Sequence, residues 1–237
     1  MPGVTDRCLP HRLAMAAILA AVVPALGVSL PMPPGAAGEA AWWVSATASG
    51  LGLAAVGLAA LAQLRPPRRQ LAWVVVPLVL LMVDLAWLNE HLLKPAMASP
   101  RPNLVWLAGS DGAAALYAQG DKQARSRVLA QRLTARPLGL SDRVRAHWIA
   151  QTGYSFPSGH SLMAGLLAGW FLYWAACRGL IRRLWWLAPW AAAVAWSRLV
   201  LGVHRPVDVL AGLALGLLAS WATAALIRRQ VSAFRSR

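Results

Sequence analysis

Apolar side chains run along the chain in long blocks, separated by short segments rich in proline, glycine and arginine. An α-helix needs roughly 20 apolar residues to cross a hydrocarbon layer about 30 Å thick. Six blocks approach or reach that length, at about 13–30, 41–63, 71–93, 161–177, 184–203 and 207–227. The pattern predicts an all-α integral membrane bundle of six transmembrane helices, forming one domain over residues 1–237. Residues 94–160 contain no such block and predict one long loop outside the bilayer.

The basic residues between blocks orient the bundle. Arg7 and Arg12 precede the first block, and Arg65, Arg68 and Arg69 follow the second. Arg178, Arg182 and Arg183 follow the fourth, and Arg228, Arg229, Arg235 and Arg237 lie near the end. Loop 31–40, which includes Pro31 and Pro33, has no lysine or arginine. Both termini and loops 64–70 and 178–183 are therefore expected in the cytoplasm. Loop 94–160 is expected in the periplasm, because loops of that length cross largely regardless of charge. A bacterial inner membrane is the expected setting.

Composition agrees. Of 237 residues, 58% are apolar and 13% charged, about half the charged share of a soluble domain. The formal net charge of +15 reads as membrane topology and implies no nucleic-acid partner, since the cations gather at block ends. Cys8 and Cys177 fall on the cytoplasmic side and are expected as thiols, not a bridge. Trp42, Trp43, Trp73, Trp87, Trp185 and Trp186 lie near block ends, where indoles anchor at the interface. Ala46, Gly50, Ala54 and Gly57 read as a stripe for close helix packing. The first block has the outline of a signal peptide, but its length and proline-rich sequel favour a retained span.

Three polar clusters interrupt the apolar pattern: Lys94-x6-Arg101-Pro102, Pro157-Ser158-Gly159-His160, and Ser197-Arg198-x5-His204-x3-Asp208. Charge counting brings all three to the same, non-cytoplasmic face. Their residue types describe a phosphate site. Lys94, Arg101 and Arg198 supply cations, and arginine forks match phosphate oxygens. Ser158 and Gly159 open the fourth block, where free N–H groups and the helix dipole attract anions. His204 and Asp208 are four residues apart, about one helical turn, so the carboxylate can orient the ring as a nucleophile. His160, without an adjacent carboxylate, is the better acid and then base.

These residues resemble the type 2 phosphatidic acid phosphatase family, whose motifs are KxxxxxxRP, PSGH and SRxxxxxHxxxD. All defining positions are present at the family spacing. Arg145-Ala146-His147-Trp148 and Thr152-Gly153-Tyr154-Ser155-Phe156 extend the similarity toward the bacterial phosphatidylglycerophosphatases, over roughly 70–225. The resemblance implies a six-helix membrane lipid phosphatase that uses neither metal nor cofactor. It also implies His204 as nucleophile through a phosphohistidine, Asp208 orienting it, and His160 as acid and base. Lys94, Arg101, Ser158, Gly159 and Arg198 hold the phosphate in that reading. Implied substrates are phosphatidylglycerophosphate, undecaprenyl diphosphate and, less so, phosphatidate; a phosphotransferase acting between lipids is the alternative. Arg205 departs from a tryptophan common in relatives.

Other polar residues have simpler readings. Asp84, Asn89, Glu90 and His91 lie at the outer end of the third block and are read as a structural pair, Asp84 with His91, or an interfacial contact, with support of Lys94 as the alternative. His147 is read as loop packing or headgroup contact. Cys177-x5-Arg183 matches a cysteine-phosphatase loop only in form. Residues 122–145 suggest an amphipathic surface helix or a solvated loop. A serine protease built on Ser158, or a lipid-phosphate carrier, would leave the cations or the histidines unexplained.

Overall fold

The computed structural model describes residues 9–30, 32, 34–135 and 138–235. Arg7, Cys8, Pro31, Pro33 and Arg237 lie outside the described residues. All regular structure among the described residues is helical. The N-terminal part comprises α1 (Leu9–Ala20), a 3₁₀ turn (Val23–Gly27), α2 (Gly35–Ala46), α3 (Gly50–Leu64) and α4 (Arg68–Leu88). A π turn (Asn89–Leu93) and α5 (Lys94–Met97) lead into α6 (Pro102–Tyr117), α7 (Lys122–Ala135) and α8 (Asp142–Ala150). The chain ends with α9 (Gly159–Cys177), α10 (Ile181–Leu184), α11 (Leu187–Val200) and α12 (Pro206–Arg235).

All six apolar blocks are helical, but not as six equal rods. Four helical stretches are long and apolar enough to cross a membrane, and α2 with α3 make a fifth as a pair bent by 59°. The bend replaces the straight helix expected over 41–63. Thr47 Oγ1 donates to Val44 O at 2.6 Å and Ser49 Oγ to Ala46 O at 3.2 Å. These hydroxyls take carbonyls that a continuous helix would use. Gly50 then turns the chain at φ +48. α11 has 14 residues, about 21 Å of helix, and is shorter than the block that predicted it.

α9 is the axis of the bundle, with 14 of its 19 residues buried. α12 packs on it almost backbone to backbone. A side chain at Gly165 would start 2.7 Å from Leu213 O, and one at Gly216 would start 2.6 Å from Leu166 N. Gly169 and Gly212 are crowded in the same way by Ser220 and by Ser158. Close packing therefore sits at α9 and α12, not along the stripe of small residues expected to provide it. Gly50, Ala54 and Gly57 instead line an apolar cavity of about 420 Å³ between α3, α4 and α9.

The long loop folds into a helical cap. Leu104, Leu116, Leu129, Leu133, Val144 and Trp148 form a second apolar core with Leu201 and Val203 of the α11–α12 turn. Trp148 Nε1 donates to Leu201 O at 2.8 Å, and Asn103 N to Gly202 O at 2.9 Å. The basic stretch that opens the C-terminal half of this segment forms two separate helices, α7 and α8. Trp43, Trp73, Trp87 and Trp185 are exposed, as interfacial anchors are. Cys177 is in no disulfide, and its sulfur accepts from Arg228 Nη1 at 2.9 Å.

Candidate active site

Three starts of structure converge under the cap: the end of the π turn, the first turn of α9, and the α11–α12 turn with the first turn of α12. Ser158 caps α9, its Oγ accepting from Ser161 N at 3.4 Å and lying 3.0 Å from Ser161 Oγ. Its own N–H donates to Asp208 O at 2.9 Å, fastening the start of α9 to α12. The amides of Gly159 and His160 are among those an α-helix leaves without an intrahelical partner. A side chain at Gly159 would approach Asn89 Nδ2 to 3.3 Å. Glycine keeps that space open.

Arg101 and Arg198 are both fully buried, yet their donors have different fates. Arg101 is tied into the protein on every nitrogen. Nε donates to Gly153 O at 2.8 Å, Nη2 to Gln151 Oε1 at 3.1 Å, and Nη1 to Val203 O at 3.1 Å. Nη1 also lies 3.2 Å from His204 Nε2. On Arg198, Nη1 donates to Ser45 Oγ at 2.6 Å and lies 3.0 Å from His147 Nε2. Nε and Nη2 of Arg198 are buried with no partner among the described residues. That edge is the fork with which a guanidinium grips two oxygens of one anion.

Guanidinium groups only donate, so the ring nitrogens facing them must carry lone pairs. His204 therefore keeps its proton on Nδ1, which lies 3.5 Å from Asp208 Oδ2. This pair is adjacent but longer than an ordinary hydrogen bond. Oδ2 is taken by Arg205 N–H at 2.8 Å. Burial, followed by the charges of Arg101, Arg198 and Lys94, holds the His204 ring well below the usual imidazole range. It is a neutral ring with its lone pair directed at Arg101.

Lys94 is buried and paired with Glu90, one turn back. Glu90 thus takes the supporting role beside Lys94 that the sequence left open for this helix end, whereas Asp84 does not pair with His91 among the described residues. The His91 ring stacks on Trp87 at 5.1 Å and its Nδ1 lies 3.0 Å from Trp87 O. The π turn beginning at Asn89 breaks the 3.6-residue phase on which the expected pair relied. Arg205 Nη1 reaches Ser99 Oγ at 3.3 Å. His160 stands edge-on to His147, with ring centres 6.5 Å apart.

Ser45 is the residue that sequence reasoning left out, and His147, read there as loop packing or headgroup contact, instead partners Arg198. Ser45 carried one usable signal, a polar group within an apolar block.

Residues 72–232 match the family model described as PAP2 superfamily, a span that includes all three polar clusters. The chain belongs to the PAP2 superfamily. Among the curated members it resembles are phosphatidylglycerophosphatase B from Escherichia coli (strain K12) and from Shigella flexneri. Each is 32% identical over 139 residues, covering 56% of this chain and 51% of the relative. The chain thus aligns with about half the length of these relatives. Its fold matches a crystal structure described as the first transmembrane PAP2 type phosphatidylglycerolphosphate phosphatase, from Bacillus subtilis. The TM-score is 0.53 at 19% identity, over 95% of this chain and 96% of that one. A transmembrane PAP2 fold therefore frames the buried arginines and histidines.

Proposed function

We propose that this PAP2 member is a lipid phosphatase acting on phosphatidylglycerophosphate, undecaprenyl diphosphate or both, through a phosphohistidine at His204. The observation that carries this reading is the buried, unpartnered Nε/Nη2 edge of Arg198, on a guanidinium whose charge helps keep the His204 ring neutral. Buried charged donors without partners are costly. A phosphoryl group satisfies them.

An incoming phosphoryl oxygen replaces His204 as a partner of Arg101 Nη1, freeing the Nε2 lone pair. Nε2 then forms a bond to phosphorus as the bond from phosphorus to the leaving oxygen breaks. His160 gives that oxygen a proton, its charged form being favoured by the bound anion. Asp208 faces Nδ1–H of His204 and stabilises the positive charge that develops on the ring. His160 next takes a proton from water, whose oxygen displaces His204 and releases orthophosphate. Arg101, Arg198, Lys94, the Ser158 hydroxyl and the amides of Gly159 and His160 hold the phosphoryl oxygens throughout. The whole of 1–237 acts as one domain, with the site facing the periplasm of an inner membrane and both termini in the cytoplasm.

The test is phosphate release by the purified chain in EDTA, with each lipid offered separately. Release is expected to persist in EDTA and to fall by about a thousandfold or more in His204→Ala. Acid-quenched single turnovers should trap phosphate on His204. Phosphate that moves to a second lipid instead of to water would identify the phosphotransferase.

A further inference from the structure

A guanidinium has five N–H donors in one plane, two of them on Nη1. On Arg198, Nη1 meets two acceptors from separate elements: Ser45 Oγ of α2 at 2.6 Å and His147 Nε2 of α8 at 3.0 Å. Two acceptors on one nitrogen fix both the position and the rotation of the plane. The remaining edge, Nε and Nη2, is buried and unpartnered. These are the side-chain hydrogen bonds of Arg198 among the described residues.

We propose that His147, together with Ser45, is a positioning residue whose clamp on Arg198 Nη1 turns the Nε/Nη2 edge toward the substrate phosphate. The proposal rests on the phosphate reading of the site. Its physical logic lies in the kind of acceptor used. A carboxylate beside Arg198 would hold it equally well but would neutralise it and repel an anion. A neutral imidazole fixes the direction and leaves the full positive charge for the phosphate. His147 stays neutral because burial, then Arg198 and Arg101, lower its pKa to about 3. The acceptor therefore persists across the whole range in which the ring's ordinary value of 6.5 would have it titrate.

The placement of His147 is itself rigid. Its neighbour Trp148 is fully buried and bonded to Leu201 O in the α11–α12 turn. Ser141 caps the start of the helix, accepting from Val144 N at 3.3 Å. Ser45 is buried on α2, the half of the bent pair that packs against α11. The cap and the membrane bundle each contribute one jaw.

Binding of orthovanadate, a phosphate analogue, to the full chain in lipid nanodiscs tests this, alongside KM and kcat. His147→Leu cannot accept a hydrogen bond. It is expected to raise the vanadate Kd by about tenfold to a hundredfold, the scale of a hydrogen bond to a charged group. KM should rise by more than kcat falls. His147→Gln offers an amide oxygen near the position of Nε2 and should remain within about threefold of wild type in Kd. Ser45→Ala should raise the Kd by about tenfold.

Equal affinities for the Leu and Gln variants, or wild-type binding by the Leu variant, would overturn the clamp. If the Leu variant does not fold, Ser45→Ala decides alone, and unchanged Kd in that variant overturns it too. A wild-type chain that neither binds vanadate nor releases phosphate refutes the phosphate reading itself. A wild type that does both, with variants that bind equally well, refutes only the clamp.

Discussion

Two arginines of equal burial differ in how fully their donors are satisfied within the protein. Arg101 satisfies Gly153 O, Val203 O and Gln151 Oε1, so its removal strands buried acceptors as well as altering the site. Arg101→Ala should lower stability by about 3–5 kcal/mol and abolish activity together. Arg198→Ala should abolish activity at a smaller cost in Tm, because losing the bonds to Ser45 and His147 is offset by the loss of two buried unpartnered donors. Thermal unfolding of both variants in one detergent makes the comparison. The His204 ring adds a dependence on pH. Its folded value lies well below 6.5 through burial and the neighbouring arginines, so the ring stays unprotonated as pH falls through 6.5. kcat/KM should therefore show no acid limb centred on that ordinary imidazole value. A limb centred near 6.5 would place the essential titration elsewhere. At this scale the sequence was informative where spacing is short. His204 and Asp208 sit one turn apart, and that interval was readable. His147 reaches Arg198 across 51 residues and Ser45 across 153, and no local rule connects such positions.

Among the elements, the apolar blocks were legible because burial in lipid leaves a long, simple pattern. The details that bend or shorten them were not. Ser49 and Gly50 break the second block through hydroxyl and backbone choices that apolarity does not register. The close-packing seam was assigned to the wrong helix for a related reason. Small residues permit close approach, but only the partner helix determines where it happens. Gly165 faces the α12 backbone, with Leu213 O 2.7 Å from a would-be side chain, whereas at Gly57 the nearest atom is Leu167 Cδ1 at 3.7 Å. Gly165→Ala should cost about 1–3 kcal/mol through forced separation of α9 and α12. Gly57→Ala should leave the Tm nearly unchanged, since its new methyl meets only an ordinary contact beside a cavity. Similar Tm losses for the two variants would contradict the seam.

For the whole molecule, basic residues predict the side on which each loop lies, and chemical labelling can test it. In a Cys8→Ser, Cys177→Ser background, Gln131→Cys on α7 should react with a membrane-impermeant maleimide added to intact spheroplasts. Arg182→Cys, beyond α9, should react only after lysis. The reverse pattern would invert the bundle. The cap was the least legible part at this scale. Its core is made with the α11–α12 turn, so residues 104–148 acquire apolar partners only from 201 and 203. That dependence also bears on the order of biosynthesis. Lys94, Arg101 and His160 emerge from the ribosome well before the turn and helix that complete their surroundings. Arg101 has no Val203 carbonyl to bond, and Ser158 no Asp208 carbonyl, until the last span is inserted. A nascent chain thus carries Lys94 and Arg101 without His204, and the cluster is complete only once α12 packs against the glycines of α9.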